Sequence, residues 1–370
     1  MKRISPFTSM LPSAVQQCLL NCCLTEDKEI FLENWKTWKT YQNFELLDYE
    51  SLKIIALLNE QLLHFQINDE NQPRYQGIYK KYWVNNIQLF SDVPFILTKF
   101  QEAGILFKII KNVAFVKMYY CDNGLLQLFG LDVFIGSQDL ETSLDILLQN
   151  GYVFSNDFTT KTSAINSSAL IKQIGFRNKT NQHLVLYIHP FKLIREKQVE
   201  EVLFNDGLSF KLNDEIELPT FNHTQHLFYT IVNGVSEKPS AMLQWVVDCK
   251  TIAKLQTINW NEFIFYSKQF KVALIVIYAF DYLSQVCKLE IPEFVLNELK
   301  TITPDKEEQI ELNNFIRQRK SDKLLYSLYV SKQLNKITEF RGGYLDYIKL
   351  LFNVKTSLQL PQIILSKLIK

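Results

Sequence analysis

Apolar residues recur every three to four positions through most of the first hundred residues. In LDYESLKIIALLNEQLLHF, Leu52, Ile55, Leu58 and Leu62 fall on one face, the spacing of a helix with one buried side. The stretch YQGIYKKYWVNNIQLFSDVPFILTKFQEAG has the same character. Pro94 is expected to start a new helix or kink the old one, and Gly104 to stop it as a C-cap. Residues 10–103 therefore read as helical.

The pattern then changes. ILFKII (105–110) is short, β-branched and aromatic, and predicts a strand. Asn112 is placed to cap the helix NVAFVKMYY, and LDVFI (131–135) predicts a second strand. Ser137 is placed to cap a helix over about 138–150, with Leu140, Leu144, Leu147 and Leu148 facing inward and Gly151 ending it. Two more strands, near 170–177 and 183–189, are joined by the turn signal of residues 178–181, which predicts a hairpin.

Helical spacing returns from about 219 in HLFYTIVNG, AMLQWVVDCKTIAKL, WNEFIFYSKQF and VALIVIYAFDYLSQV. It continues through the last 80 residues, with basic connections such as residues 317–320. The layout predicts an α+β fold, a small mixed sheet flanked by helical N- and C-terminal regions. The expected division is 1–103 helical, 104–218 the α/β core and 219–370 helical.

Composition narrows the function classes. Lys plus Arg number 40 and Asp plus Glu 39 in 370 residues, a net charge of +1. That balance gives no electrostatic footprint for nucleic acid. A hydrophobic fraction of 47%, with 27 Phe and 17 Tyr, argues against disorder. No apolar run reaches the length of about 18 residues that a membrane span needs, so no membrane partner is expected. Ser9, Pro12, Gln16 and Gln17 interrupt what would be the apolar core of a signal peptide. The six cysteines, at 18, 22, 23, 121, 249 and 287, match no zinc or disulfide framework and read as packing residues of a reduced, cytoplasmic protein.

Asp132 raises the chemical question. It stands alone in the apolar run GLDVFI, and a buried carboxylate is costly unless something binds it. His183 and His189, six apart on a predicted strand, share a face, but no third ligand lies at useful spacing. His223 and His226, three apart on a predicted helix, read as surface or cap residues.

AGILFKIIKNVAFVKMYY, GLLQLFGLDVFIGSQDLETSLDILLQNGY, HLVLYIHPF and LQWVVDCKTI followed by INWNEF appear in this order. In order and spacing they resemble the bacterial family of uncharacterised nucleotidyltransferase-like proteins, within the DNA polymerase β-like nucleotidyltransferase superfamily. The resemblance runs from about residue 45 to 290 and rests on several weak segments. In that family the first strand ends in Lys-Gly, a later segment carries Gly-Leu-Arg and then Asp-x-Asp, and a further strand carries a third carboxylate. The resemblance implies two-metal phosphoryl transfer, in which clustered carboxylates hold two Mg²⁺ ions on a triphosphate. Asp at i and i+2 on a strand point to the same side, hence the spacing.

The correspondence keeps Lys111 for the Lys and Asp132 for the second Asp. Asn112 stands for the Gly, Leu126 for the Arg, Gly130 for the first Asp, and Tyr187, two before His189, for the third carboxylate. Asp132 then reads as the remnant of a pair, and as the metal ligand if any metal binds. Lys111, Asn112 and His189 are the candidate ligand-binding residues, with Lys111 the candidate ion-pair partner of Asp132. Asp248 resembles a family position that fixes helix packing against the core.

Three functions follow as expectations. The first is a nucleotidyltransferase-like protein with eroded carboxylates and a ligand- or partner-binding role. The second is a live Mg²⁺-dependent enzyme moving a nucleotidyl group from an NTP to an unknown acceptor, with Asp122 or Asp139 completing the site. The third is a helical scaffold whose cleft is plugged by Phe129, Phe134 or Tyr187.

Overall fold

A computed structural model describes residues 11–41, 43–155, 172–191, 194, 198–236, 243–304, 306, 308–310 and 356. Residues 317–320 lie outside the described residues.

The N-terminal elements are helices α1 (Ala14–Leu24), α2 (Lys28–Tyr41), α3 (Tyr49–Lys53), α4 (Ile55–His64) and α5 (Gln72–Glu102). Their starts are written in the sequence. Ser13 accepts from the Gln16 amide at 3.2 Å while Gln16 accepts from the Ser13 amide at 3.0 Å, a capping box on α1. Asp48 caps α3 through the Glu50 and Ser51 amides.

Helix α5 runs on through Pro94, so no new helix starts there. A proline ring forfeits one backbone bond, and the packing of Leu89, Phe90, Val93, Ile96 and Leu97 into the core outweighs that loss. At its end Gly104 adopts φ +69°, with Gly104 N–H bonded to the Gln101 carbonyl and Ile105 N–H to the Phe100 carbonyl, each at 3.0 Å. This is a Schellman closure, so Gly104 is the helix stop that its place in the sequence predicts.

Strand β1 (Phe107–Ile109) leads to Lys111, a non-glycine residue at φ +62°, and then to α6 (Asn112–Phe115). Asn112 is thus the first helical residue rather than its cap, and Lys111 holds the cap position without a side-chain bond. The single helix expected over NVAFVKMYY is two pieces: α6, then a π-helical turn over Val116–Tyr120 that ends at Cys121 in the left-handed region. Strand β2 (Gly130–Ile135) follows, then α7 (Leu140–Gln149). Ser137 does not cap α7; it opens a 3₁₀ turn over Ser137–Asp139, and Asp139 precedes the helix.

Strands β3 (Val153–Phe154), β4 (Gln173–Arg177) and β5 (His183–Tyr187) come next. β4 and β5 form the expected antiparallel hairpin, with Asn181 at φ +62° in its turn. β5 ends at Tyr187, so His189 lies beyond the strand rather than on the face of His183. Helix α8 (Val199–Phe204) and strands β6 (Leu208–Lys211) and β7 (Glu217–Thr220) complete the sheet.

The sheet has seven strands in the order β3-β4-β5-β2-β1-β7-β6. It is mixed: β2 runs parallel to β5 and β1 parallel to β7, while the other neighbours are antiparallel. Helices α9 (His223–Ser236), α10 (Gln244–Leu255), α11 (Trp260–Gln269), α12 (Ala273–Cys287) and α13 (Glu293–Thr301) follow. Sheet and helices share one continuous apolar core, rich in rings such as Phe191, Phe228, Phe263 and Phe270. The architecture is the α+β fold that the sequence pattern predicts. Among the described residues no helix is long and apolar enough to cross a membrane.

Candidate functional site

β2 lies between β1 and β5, with the end of β1 beside Val133 and β5 running parallel on the other side, and this adjacency assembles the site. The ladder pairs Gly130 with His183, Asp132 with Val185 and Phe134 with Tyr187. Because side chains alternate along a strand, Gly130 and Asp132 face the same side. Lys111 leaves β1 through its left-handed turn and reaches into that space. Its ammonium lies 3.6 Å from Asp132 Oδ1 and 4.3 Å from the centre of the Tyr187 ring. It also donates a short hydrogen bond to the Tyr187 hydroxyl.

The pair is shielded, with the Asp132 side chain 15% exposed. Burial disfavours the Lys111 charge, but Asp132, with Tyr229 and Tyr187, outweighs it and holds the ammonium well above its ordinary pKa. Burial first, and then Asp132, pushes the Tyr187 hydroxyl up, so it stays protonated.

Gly130 does not merely lack a carboxylate. A Cβ built on it falls inside the van der Waals radius of the His183 backbone carbonyl. The acids expected to complete the site are engaged elsewhere. Asp122 accepts from the Tyr79 hydroxyl and the Gly124 amide, and Asp139 from the Leu106 amide. Among the described residues no three His, Cys, Asp or Glu side chains stand together as a metal ion would need. The side chains around Asp132 are an ammonium, a phenol and a glycine, which is not a donor set for Mg²⁺.

A cleft of about 220 Å³ that Lys111 also lines opens between α6, the loop before β2, α9 and α10. Lys111 and Asn112 form part of its wall, together with Gln127, Phe129, Asn233 and Gln244. Phe129 is 51% exposed. Asp132 and His189 are not in the wall. His189 turns Nδ1 back to its own segment, 3.0 Å from the Phe191 carbonyl and 3.3 Å from the Phe191 amide nitrogen. Of the expected plugs, Phe134 is buried in the core against Phe204, and Tyr187 covers Lys111 instead of filling the cleft.

Asp248 anchors the cleft wall. It is buried and accepts from the Tyr120 hydroxyl at 2.5 Å and from Gln244 Nε2 at 2.9 Å. Burial raises its pKa to about 6, while those two donors oppose the rise. Trp245 is wedged between Gly234 and a stacked Tyr282.

A second polar run lies behind β1. Thr220 Oγ1 donates to the Ile109 carbonyl at 2.5 Å, so it must accept from His226 Nε2–H at 3.1 Å. His226 Nδ1 then accepts from the Tyr119 hydroxyl at 2.7 Å, whose oxygen accepts from His223 Nδ1 at 3.0 Å. His223 and His226 do share a face, but His226 is fully buried rather than a surface residue. Burial above all lowers its pKa to about 3, so it is neutral. The i, i+4 pair of Gln244 and Asp248 was a readable signal for the cleft wall, whereas nothing local in the chain marks Tyr119 as the partner of two histidines.

A Lys just after the first strand, an Asp on the second and helices closing a cleft are the arrangement that the family resemblance implies. Residues 53–288 match the model of the family described as uncharacterised nucleotidyltransferase. That is more than half of the chain, and the chain belongs to this family, as the motif order suggested. A comparison with curated proteins finds no match.

Proposed function

We propose that the chain is a nucleotidyltransferase-like protein that no longer transfers nucleotides and that uses the cleft beside Lys111 to bind a ligand. The observation that carries this is the ammonium of Lys111 set between Asp132 and Tyr187. In a two-metal site the carboxylates face cations supplied from solution. Here the remaining carboxylate faces a cation of the chain's own, and the two neighbouring ligand positions carry Gly130 and Tyr187. The open cleft favours ligand binding over a plugged scaffold. The six thiols are unpaired, which supports a cytoplasmic location.

The test is incubation of the purified protein with each labelled NTP and Mg²⁺, scored for nucleotide transfer to protein, nucleic acid or small-molecule acceptors. No transfer is expected. Mg²⁺-dependent transfer that is lost in Asp132→Asn would overturn the reading.

A further inference from the structure

The wall of the cleft specifies the charge its ligand can carry. Its two cations are Lys53 and Lys111, and each has a carboxylate: Glu50 lies 2.7 Å from the Lys53 ammonium, and Asp132 lies 3.6 Å from that of Lys111. Asp248 adds an acidic group to the same wall. Among the described lining residues no positive charge is left over for a triphosphate. The uncharged polar side chains of the wall are the hydroxyls of Tyr229 and Thr230 and the primary amides of Asn112, Gln127, Asn233 and Gln244. A primary amide carries a donor and an acceptor in one plane, and the Asn233 and Gln244 nitrogens are already turned to the Pro190 carbonyl and to Asp248.

Two further atoms point the same way. Gln244 Oε1 and Trp245 Nε1, an acceptor and a donor on consecutive wall residues, are buried without a hydrogen-bond partner among the described residues. The Gln244 amide is oriented by its donation to Asp248, which leaves Oε1 as the free end. Buried polar atoms without partners are uncommon and call for an explanation. Phe129 offers a half-exposed ring at the same wall. A cavity of about 220 Å³ is small for a drug-sized molecule.

Resting on the reading of the cleft as a binding site, we propose that its ligand is an uncharged, flat heterocycle with donor and acceptor on one edge, a nucleoside rather than a nucleoside triphosphate. Phe129 stacks on the ring, and the amide wall reads its edge. Lys111 serves the site by neutralising Asp132, not by holding phosphate.

The test is calorimetric titration of the full chain with adenosine, guanosine, cytidine and uridine, and with the four triphosphates, all without Mg²⁺. The wild type is compared with Phe129→Ala, an exposed change, and Trp245→Phe, which keeps an aromatic side chain but removes the N–H. We expect at least one nucleoside to bind, its triphosphate to bind at least roughly tenfold more weakly, and Phe129→Ala to weaken the nucleoside by roughly tenfold. Failure of all four nucleosides to bind overturns the proposal. So does a triphosphate that binds as tightly as its nucleoside, or nucleoside binding untouched by both variants. None of these outcomes bears on the absence of transfer, which only the Mg²⁺-dependent assay can overturn.

Discussion

The backbone carbonyl of His183 occupies the space that a Cβ on Gly130 would need. The missing first carboxylate therefore cannot be put back by substitution alone. Gly130→Asp would have to displace β5 from β2, where Gly130 and His183 are paired in the ladder. Backbone overlap of this kind costs about 1–3 kcal/mol or more. We expect Gly130→Asp to lower the melting temperature and to gain no Mg²⁺-dependent transfer. A stable variant with new transfer activity would show that the strands can part.

Lys111 and Asp132 should behave as a coupled pair. Lys111→Met leaves a shielded carboxylate without its cation, and Asp132→Asn leaves the ammonium without its anion. Each single change should cost roughly 1–3 kcal/mol, below the range for fully buried pairs because both side chains keep some exposure. The fold should survive either change. The double variant should cost less than the sum of the singles by about 1 kcal/mol, as contacting residues do. Urea denaturation of the four proteins checks this, and strict additivity would mean that the pair is not coupled.

Two buried groups give opposite dependences of stability on pH. His226 has a folded-state pKa near 3 against an ordinary 6.5, so the unfolded chain takes up the proton first and stability is lost as pH falls from 6.5. At pH 5 the loss amounts to roughly 2 kcal/mol. Asp248 is raised to about 6 from an ordinary 3.8, so the folded chain takes up the proton first and stability is gained as pH falls from 6 toward 4. His226→Gln should flatten the acid loss. Asp248→Asn should be the more stable protein above pH 6, by roughly 1–3 kcal/mol, and lose that advantage near pH 4. Denaturation midpoints across pH 4–8 for the three proteins separate the two slopes.

Gly234 sits within a helix, where alanine would ordinarily help by about 1 kcal/mol. Here the added Cβ would lie 2.5 Å from Trp245 Cδ2. The indole cannot retreat easily, because Tyr282 stacks on its ring with centres 5.5 Å apart. Overpacking at about 1–3 kcal/mol should outweigh the helix gain. We expect Gly234→Ala to lower the melting temperature, and a higher one would show that the ring has room.

What could be read in the chain was local or carried by motif order. Gly104 announces its own helix end, because a left-handed residue after an apolar periodic run has few other uses. The turn over 178–181 announces its hairpin in the same way. Asp132 and Lys111 were found through their order in the chain. The path of α5 through Pro94 was hidden, because proline propensity is local while the packing that overrules it is not. The burial of His226 was hidden too, since its partners Tyr119 and Thr220 come from a π-helical turn and a strand that the helix spacing does not reveal. Tyr187 stands 76 positions from Lys111 in sequence, and only the strand order makes them neighbours.

The place of β1 inside the sheet, between β2 and β7, has a further consequence, for the order in which the molecule can assemble. β1 is three residues long and pairs on one side with β2, close behind it in sequence. Its other side waits for β7, where Ile109 meets Thr220 across a separation of more than a hundred residues. Such a distant pairing forms late, since the intervening chain must be closed first. Until residue 220 is in place, the strand that leads to Lys111 is an open edge. A chain stopped short of residue 217 would therefore offer that edge to another chain.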